Sequence, residues 1–465
     1  MPDTLPPYPA YKDSGVPWLG RIPAHWEVQR MKTIVRERSE KGFPTEPLLA
    51  ATQTKGVVRK EEYENRTVLA LKDLHLLKLV RVSDFVISLR SFQGGIEYAR
   101  VQGIISPAYT VFYPVQSDVH KFLAWLFKSR PFIENLTLHV TGIRQGQNID
   151  FEKLKRSEIP LPPPDEQHAI TRYLDHMDRR IRRYIRAKQR LIALLEEQKR
   201  AIIHQAVTRG LDPTVRLKPS GVAWLGEVPE HWEVKRIKYL LREIDHRSTS
   251  GQETLLSLRM NHGLVPHDEH FSRPGQASTL VGYKLVRPGQ VVLNRLQANN
   301  GLVFASDVYG VVSPDYAVFD PITDVDLQYL TTLFRTPTMK RKFRVESKGL
   351  GTGTAGFLRL YTDRFGLIAV PLPPRNEQSR IMAELDTLLG GILSTSDRVQ
   401  REIDLLREYR TRLIADVVTG QVDVRAAAAQ LPEEAEEADA LPEVEPLDEE
   451  EPGEEQMDVD EETDA

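Results

Sequence analysis

Gly351, Gly353 and Gly356 reproduce the GxGxxG spacing of loops that cradle phosphates. Such a loop follows a strand and opens a helix, because the N–H groups of the helix N-terminus bind the anion. The segment after Gly356 is FLRLYTDRF, which predicts a strand instead of a helix. We therefore interpret residues 351–356 as a glycine-rich surface loop. The chain has no Walker A sequence either, and we predict that it binds no nucleotide.

Asp165 and the triplet Glu197-Gln-Lys199 contain the side chains of a metal-dependent nuclease site. The carboxylates of such a site lie within a few ångströms of each other, because they share a metal ion. Here a predicted helix separates them by about 48 Å at 1.5 Å per residue. No Asn-Pro-Pro-Tyr-like sequence of an amino-methyltransferase that flips its target base is present either. The sequence therefore predicts a chain that is not an enzyme.

A group of potential metal ligands lies near the middle of the chain: His262, His267, Asp268, Glu269 and His270. The group lacks HExxH spacing and contains a glycine and a proline, so a surface loop is the preferred interpretation. Cysteine is absent from the whole chain, which excludes disulfides, thiolate zinc sites and a cysteine nucleophile. We predict no metal site.

The dipeptide His-Trp occurs twice, as His25-Trp26 and His231-Trp232. A duplicated catalytic dyad would need a nucleophile near each histidine, and none is close in sequence. Packing of each tryptophan with a preceding leucine is the preferred interpretation.

Arginine, asparagine and glutamine side chains follow strand-like runs and glycine loops in both halves of the chain. These side chains read guanine and adenine edges in pairs of hydrogen bonds, and Lys or Arg neutralises phosphates. An ordinary solvated loop is the alternative. The candidate DNA-contact residues are Arg90, Ser91, Gln93, Arg100, Arg144, Gln145, Gln147 and Asn148 in the first half and Asn294, Arg295, Gln297, Asn299, Asn300, Arg341, Lys342, Arg344, Lys348 and Arg359 in the second.

The elements that position these residues come from an internal repeat. Three blocks recur in one order at spacings of 206 to 211 residues, and the first is identical at 13 of 19 positions. The pairs are SGVPWLGRIPAHWEVQRMK (14–32) with SGVAWLGEVPEHWEVKRIK (220–238), ISPAYTVFYPV (105–115) with VSPDYAVFDPI (312–322), and IPLPPPDEQ (159–167) with VPLPPRNEQ (370–378). We infer two copies of one unit, 1–212 and 213–424, followed by a tail.

Each copy begins with short apolar runs between turn residues, such as 84–89 and 290–293. Helical patterns follow at 120–129 and 327–335. This alternation predicts a mixed α/β (α+β) globular domain of about 150 residues in each copy.

After each proline-rich block, apolar residues recur in alternating steps of four and three, from Ile170 to Ile202 and from Ile381 to Leu413. This heptad pattern predicts two helices of about 44 residues, each roughly 65 Å long, with Asp165 and Asn376 as N-caps. The two helices could pair with each other or lie separately on their own domains. Pairing is preferred, because one 150-residue domain is too small to cover such a helix.

Charge is segregated along the chain. Residues 431–465 contain 18 of the 66 acidic residues and no Lys or Arg, so the 62 basic residues face 48 acidic ones in residues 1–430. The net charge of −4 therefore combines a body of +14 with an acidic tail, and a basic body favours a polyanionic partner. The N-terminus resembles no signal peptide and no run of 18 apolar residues occurs, so we expect a cytoplasmic protein without a membrane span.

The repeated blocks carry a family likeness. YKDSGVPWLGRIPAHWEV, its second copy and the two proline-rich blocks resemble the specificity (S) subunit of type I restriction-modification systems, over residues 8–424. The resemblance implies two target recognition domains that each read half of a bipartite, asymmetric site in double-stranded DNA. It also implies an antiparallel coiled coil that spaces these domains and docks two methyltransferase subunits, which are joined by restriction (helicase-nuclease) subunits.

The resemblance further implies that this chain has no cofactor, because S-adenosylmethionine, ATP and Mg²⁺ belong to the partner subunits. It assigns residues 1–158 and 213–369 to the recognition domains, and 159–212 and 370–424 to the long spacer helices. Residues 425–465 depart from the family pattern, and we predict an acidic disordered tail, with a DNA mimic that covers the basic face as the alternative. The alternative function is a non-catalytic scaffold whose duplicated domains bridge two partner proteins without recognising DNA.

Overall fold

The computed structural model describes residues 5–53, 55–62, 73–89, 91–141, 148–260, 262–267, 279–350 and 357–432. The chain folds as two compact units. Unit 1 comprises residues 1–190 and 400–465, and unit 2 comprises residues 191–399. Each long helix is divided between the two units, whereas the sequence analysis treats each helix as a separate segment.

The strands of unit 1 are β1 (Tyr11–Asp13), β2 (Arg21–Pro23), β3 (Glu27–Arg30), β4 (Val35–Arg38), β5 (Leu49–Thr52), β6 (Gly56–Arg59), β7 (Lys78–Val80), β8 (Phe85–Ile87), β9 (Glu97–Tyr98), β10 (Gly103–Ile105), β11 (Thr110–Pro114), β12 (Val140–Thr141), β13 (Asn148–Ile149) and β14 (Glu158–Leu161). Its helices are α1 (Met31–Ile34), α2 (Ser91–Gly94), α3 (His120–Phe127), α4 (Arg130–Leu136) and α5 (Phe151–Leu154). The long helix α6 (Pro164–Arg209) begins in unit 1 and ends in unit 2.

The strands of unit 2 are β15 (Leu217–Pro219), β16 (Glu227–Pro229), β17 (Glu233–Arg236), β18 (Leu241–Ile244), β19 (Leu256–Arg259), β20 (Gly263–Pro266), β21 (Lys284–Val286), β22 (Val291–Asn294), β23 (Val303–Ala305), β24 (Gly310–Val312), β25 (Tyr316–Pro321), β26 (Lys348–Leu350), β27 (Phe357–Arg359) and β28 (Ala369–Leu372). Its helices are α7 (Leu327–Phe334), α8 (Pro337–Glu346) and α9 (Thr362–Leu367). The second long helix, α10 (Arg375–Val418), returns to unit 1, where α11 (Arg425–Ala429) follows.

The sheets repeat element by element, which confirms the internal repeat and the mixed α/β fold. Unit 1 has a four-stranded antiparallel sheet in the order β4-β11-β8-β9, and unit 2 has β18-β25-β22-β23. The two-stranded pairs β1-β2, β3-β14, β5-β6, β7-β10 and β12-β13 correspond to β15-β16, β17-β28, β19-β20, β21-β24 and β26-β27. The predicted helices at 120–129 and 327–335 are α3 and α7. Of the strand predicted over FLRLYTDRF after the glycine loop, only the first three residues form β27, and its last four residues begin α9.

Each four-stranded sheet is buried on both faces. In β22, Val291 and Leu293 pack into the core that contains α7 and α8, whereas Val292 packs with the β19-β20 hairpin. In β8, Phe85 and Val86 divide in the same way between the helical core and the β5-β6 hairpin. The alternation follows from the two-residue period of a strand, and both faces are apolar because both are covered.

The repeated His-Trp dipeptide joins each domain to its long helix. Trp26 Nε1 donates to Glu166 Oε2 at 2.7 Å and His25 Nε2 lies 2.6 Å from Glu166 Oε1, in the first turn of α6. In unit 2, His231 and Trp232 contact Glu377 of α10 in the same way, at 2.7 and 3.2 Å. Both tryptophans are fully buried, in agreement with the packing interpretation. The carboxylate adds hydrogen bonds between each domain and its long helix.

The N-caps predicted at Asp165 and Asn376 are wrong. α6 begins at Pro164 and α10 at Arg375, so each predicted cap is the second residue of its helix. Pro163 and Pro374 precede the helices, and their carbonyl groups accept the first helical hydrogen bonds. Proline fits here because the first N–H groups of a helix have no intrahelical partner.

The two long helices pack antiparallel, as the resemblance implies. In unit 1, Asp178 of α6 pairs with Arg410 of α10. Further towards the end of α6, Lys188 pairs with Glu402, which lies nearer the start of α10. In unit 2, Val207 near the end of α6 packs into the same core as residues 381–385 near the start of α10. The helices therefore pair and also lie on the domains, which combines the two alternatives.

The predicted seam is buried in separate stretches and not throughout, since Val399 in the middle of α10 is also buried. Ile170 and Leu385 are buried, whereas Leu191 and Leu388 are 42% and 49% exposed. A straight helix has 3.6 residues per turn and drifts about 20° from a heptad with each repeat, so one seam cannot stay buried along 46 residues.

Residues 425–432, predicted as part of a disordered tail, are instead folded onto unit 1. Ala428 is buried in the core of that unit, and Leu431 packs against it. Arg172 of α6 donates to the carbonyl oxygens of Leu431 and Pro432 at 2.7 and 3.2 Å. The apolar residues before the first acidic cluster explain this order, and residues 433–465 lie outside the described part of the chain.

Candidate nucleic-acid interface

The copy-two candidates gather around the turn after β22. Asn294 is buried, and its Oδ1 accepts hydrogen bonds from the N–H groups of Leu296 and Gln297 at 3.0 and 3.3 Å. The Asn300 amide donates to Gln297 Oε1, and the Asn299 amide donates to Asn300 Oδ1. Asn294 therefore shapes the turn, while the more exposed amides form its surface.

Helix α8 packs against this turn and brings basic residues beside it. Thr336 caps the helix, because its Oγ1 accepts from Met339 N, and Pro337 occupies the first turn. Arg341 and Arg344 are exposed, as is Lys348 in the strand that follows, and none has a carboxylate partner among the described residues. Lys342 differs, since it pairs with Glu346 at 2.6 Å.

Close packing between α8 and the turn depends on Gly301. Its φ of +87° lies in the left-handed region, and a Cβ there would lie 2.5 Å from Lys340 Cε. Burial, together with the nearby Arg335 and Arg200, lowers the pKa of Lys340 from its ordinary value. Lys340 and Arg335 were missed by the sequence prediction, although the first opens the run KRKFR that contains the predicted cations.

Arg295 and Arg359 are neutralised within unit 2. Arg295 pairs with Glu243, and its carbonyl oxygen accepts from Leu360 N at 2.9 Å, which brings the β22 turn beside β27. Arg359 Nη1 lies 3.0 Å from Asp315 Oδ1. These two residues complete the group on one side of unit 2 but carry compensated charges.

In unit 1 the corresponding turn contains α2, which packs against α4 and β13. Ser91 is buried and its Oγ accepts from Ser88 N at 2.9 Å, whereas Gln93 and Arg100 are exposed. Asn148 lies in β13. Arg90, Arg144, Gln145 and Gln147 lie outside the described residues, as does the glycine loop 351–356. The DNA contacts assigned to this whole set stay predictions.

The same scaffold thus presents different side chains in its two copies. The only cation of α4 is Arg130, which pairs with Glu134 at 2.8 Å, while α8 carries four cations. The turns differ too, with serine and glutamine on α2 and a run of amides after β22. Such differences at equivalent positions are what recognition of two unlike sequences would require.

Within the described ranges, no group of three or more His, Asp or Glu residues could hold a metal ion. Of the predicted histidine-rich loop, His262 and His267 flank β20, and residues 268–270 are among those not described. No described helix is long and apolar enough to cross a membrane.

Comparison with known proteins agrees with this architecture. Residues 23–191 match the type I restriction modification DNA specificity domain. The chain is 30% identical over 124 residues to the type I restriction enzyme MjaVIII specificity subunit of Methanocaldococcus jannaschii, a match that covers 27% of this chain and 26% of that protein. It is 23% identical over 445 residues to the putative MjaX specificity subunit of the same organism, covering 88% and 96% of the two chains.

A solved structure described as concerning complex assembly and conformational transition of the type I R-M system has the same fold. It aligns with a TM-score of 0.61 at 16% identity and covers 86% of this chain and 99% of that one. The match to the specificity domain and to the relative that covers 88% of this chain confirms the predicted resemblance to specificity subunits, and the solved structure shows the shared fold.

Proposed function

Because residues 23–191 match the type I restriction modification DNA specificity domain, we propose that the chain reads a bipartite, asymmetric DNA site for a restriction-modification complex. The observation that carries the proposal is one fold present twice with unlike side chains on the same turn and helix. Each domain would contact one half-site, and two unlike surfaces would select two unlike half-sites.

The long helices would set the distance between the half-sites and dock two methyltransferase subunits, joined by restriction subunits. This chain would supply recognition only. The methyl donor S-adenosylmethionine, together with ATP and Mg²⁺, would be bound by those partners.

The experiment is methylome sequencing of a host that expresses this chain together with type I methyltransferase subunits. We expect methylated adenines in two dissimilar half-sites separated by a nonspecific spacer. A continuous or palindromic methylated sequence contradicts the proposal. A chain that assembles with partners but gives no salt-dependent gel shift on DNA supports the scaffold alternative instead.

The basic residues of α8 offer a sharper test of DNA contact in unit 2. Replacing Arg341 and Arg344 with alanine should weaken binding to all sequences and reduce the slope of log K against log salt by up to about two. Arg216→Ala is the matched control, because this exposed arginine of unit 2 lies before β15 and away from α8 in the sequence. An equal effect of control and double variant contradicts a phosphate contact by α8.

A further inference from the structure

Unit 1 contains a surface cavity of about 850 Å³ that the DNA proposal does not use. Part of its wall is apolar and comes from Val16, Pro17, Trp18 and Leu138. Leu138 is 77% exposed there, as is Val345 at the equivalent position of unit 2. The wall can therefore accept apolar side chains from another segment.

The remaining wall is charged and mostly basic. Arg30, Lys32, Lys155 and Arg156 line it against two carboxylates, those of Glu152 and Glu158. The carboxylates already pair with Lys155 and Arg30, which leaves Lys32 and Arg156 without an acidic partner among the described residues. His139 also lines the cavity, and burial lowers its pKa from the ordinary value. The cavity thus has a net positive charge.

Two buried N–H donors at this cavity have no acceptor in the described structure. They are Nε1 of Trp18 and Nδ2 of Asn135, and the Asn135 side chain belongs to a residue only 6% exposed. Trp224, the equivalent of Trp18 in unit 2, also has an indole N–H without an acceptor in the described structure, so only the Asn135 donor is particular to unit 1. Apolar, cationic and donor groups together fit a peptide that alternates apolar and acidic residues.

The second copy keeps part of this wall, since Trp18, Arg30 and Lys32 correspond to Trp224, Arg236 and Lys238, but it lacks the other two cations. The positions equivalent to Lys155, Arg156 and Asn135 are Gly366, Leu367 and Lys342. A Cβ on Gly366 would lie 3.2 Å from the Lys238 side chain, so the backbone of α9 approaches closely where the cavity of unit 1 is open. The cations Lys155 and Arg156 are therefore particular to unit 1 and not part of the repeated fold.

The chain itself contains a matching peptide. The acidic tail, residues 433–465, includes LPEVEPL at 441–447, in which Leu441, Val444 and Leu447 alternate with Glu443 and Glu445. The tail follows Pro432, whose carbonyl oxygen accepts a hydrogen bond from Arg172 of unit 1. Nine residues span up to about 30 Å, twice the radius of gyration of about 15 Å expected for a 150-residue domain. Tethering also gives an effective concentration of about millimolar.

We propose that the cavity of unit 1 is the docking site of the acidic tail of the same chain. Leu441, Val444 and Leu447 pack against Trp18 and Leu138, and the glutamates between them meet the cations of the opposite wall. Charge complementarity makes the contact sensitive to salt.

The absence of cysteine makes disulfide trapping a clean test. Leu138→Cys combined with Val444→Cys places one thiol at the cavity and one in the tail. The matched control pairs Val444→Cys with Val82→Cys, because Val82 is also exposed on unit 1 but does not line the cavity. We expect the cavity pair to oxidise within one chain at least about tenfold faster than the control, and Lys155→Glu with Arg156→Glu to remove that advantage.

Equal oxidation rates for the two pairs overturn the proposal, as do disulfides that link separate chains. The thermal unfolding curves of the reduced variants must match that of the parent, which excludes misfolding as the cause of a lost cross-link. Random duplex DNA provides the third arm, on a Leu138→Cys chain ended after Pro432. If DNA protects the single thiol of this variant from a soluble thiol reagent and an added 433–465 peptide does not, the cavity belongs to DNA and not to the tail.

Discussion

Glu166 and Glu377 occupy equivalent positions in the two copies but have different numbers of hydrogen-bond partners. Besides the His-Trp pair, Glu166 accepts from Tyr8 at 3.3 Å and from Arg425 at 3.2 Å. Both additional residues come from the ends of the described chain. One carboxylate therefore joins both terminal segments to the first turn of α6, whereas within the described ranges the Glu377 carboxylate contacts the repeated pair alone.

Glu166→Gln should destabilise unit 1 by about 2–3 kcal/mol, and Glu377→Gln should destabilise unit 2 by about 1 kcal/mol. The larger effect follows from the loss of a charged acceptor for four donors. Urea unfolding followed by peptide-resolved hydrogen exchange reports on each unit separately. Equal losses in the two variants would show that Tyr8 and Arg425 add nothing to the repeated tie.

Lys128 holds the α2 turn through a nearly buried ion pair. Its Nζ donates to Glu97 Oε1 at 2.7 Å and to the Gly94 carbonyl oxygen at 2.8 Å, and Glu97 is 1% exposed. Burial raises the pKa of Glu97, and Lys128 opposes that rise. Because the folded pKa lies above the unfolded one, this group stabilises the fold at low pH and less as pH rises through the folded pKa.

Lys128→Met should raise the pKa of Glu97 further and make stability fall more steeply between pH 5 and pH 8. The urea midpoint at the two pH values measures this difference. Lys121→Met is the matched control, since Lys121 is an exposed lysine of α3. A midpoint difference that is the same in both variants contradicts the role of Lys128.

At the level of elements, the sequence predicts which segments are helices and strands better than it predicts their surroundings. The repeated blocks and the apolar runs at 84–89 and 290–293 locate β8 and β22, because short apolar runs and turn residues are signals that neighbouring residues alone provide. The partners of Glu166 are not predictable from periodicity, since Arg425 lies 259 residues away. The sequence signal for the contact between His-Trp and the long helix was the recurrence of His-Trp and Glu-Gln in both copies.

The candidate contacts show the same division. Composition and spacing select Arg341 and Arg344, which are exposed. They equally select Asn294, whose side chain hydrogen-bonds within a turn, and Arg295, which pairs with a carboxylate. Long-range packing decides which of these side chains make contacts within the fold and which stay exposed. Residue type alone therefore does not separate the two groups.

If the long helices separate the two domains on DNA as proposed, we expect the spacer between the half-sites to change when a helix changes in length. Inserting four helix-forming residues within Leu191–Glu197, where α6 enters unit 2, lengthens the helix by about 6 Å and rotates its end by about 40°. Six ångströms correspond to at most two base pairs at about 3.4 Å each. The unchanged α10 must absorb a local stutter, which lowers stability.

We expect the same two half-sites separated by one or two additional base pairs. Methylome sequencing of a host with the variant and its partner subunits measures the spacer. A spacer of unchanged length in an active complex would show that the helices do not set the distance.

At the level of the whole molecule, the tail offsets the charge of the body. Ending the chain after Pro432 removes all 18 acidic residues of the tail, keeps the contacts of Arg172, and changes the net charge from −4 to +14. Nonspecific DNA binding should rise, more at low salt than at high salt. Gel shifts with random duplex DNA over a range of salt measure the effect. Equal affinity with and without the tail at low salt would contradict any shielding by it.

The division of the chain between the units also fixes the order in which they can be completed during synthesis. Unit 2 is one continuous stretch, whereas unit 1 includes residues 400–432, among which Leu413, Ile414 and Val417 fill the same core as Ile170. Chains emerge from the ribosome N-terminus first at about 5–20 residues per second. The unit that emerges first therefore waits for the last residues translated, and an early stop codon after residue 399 would damage the N-terminal unit while leaving the sequence of unit 2 whole.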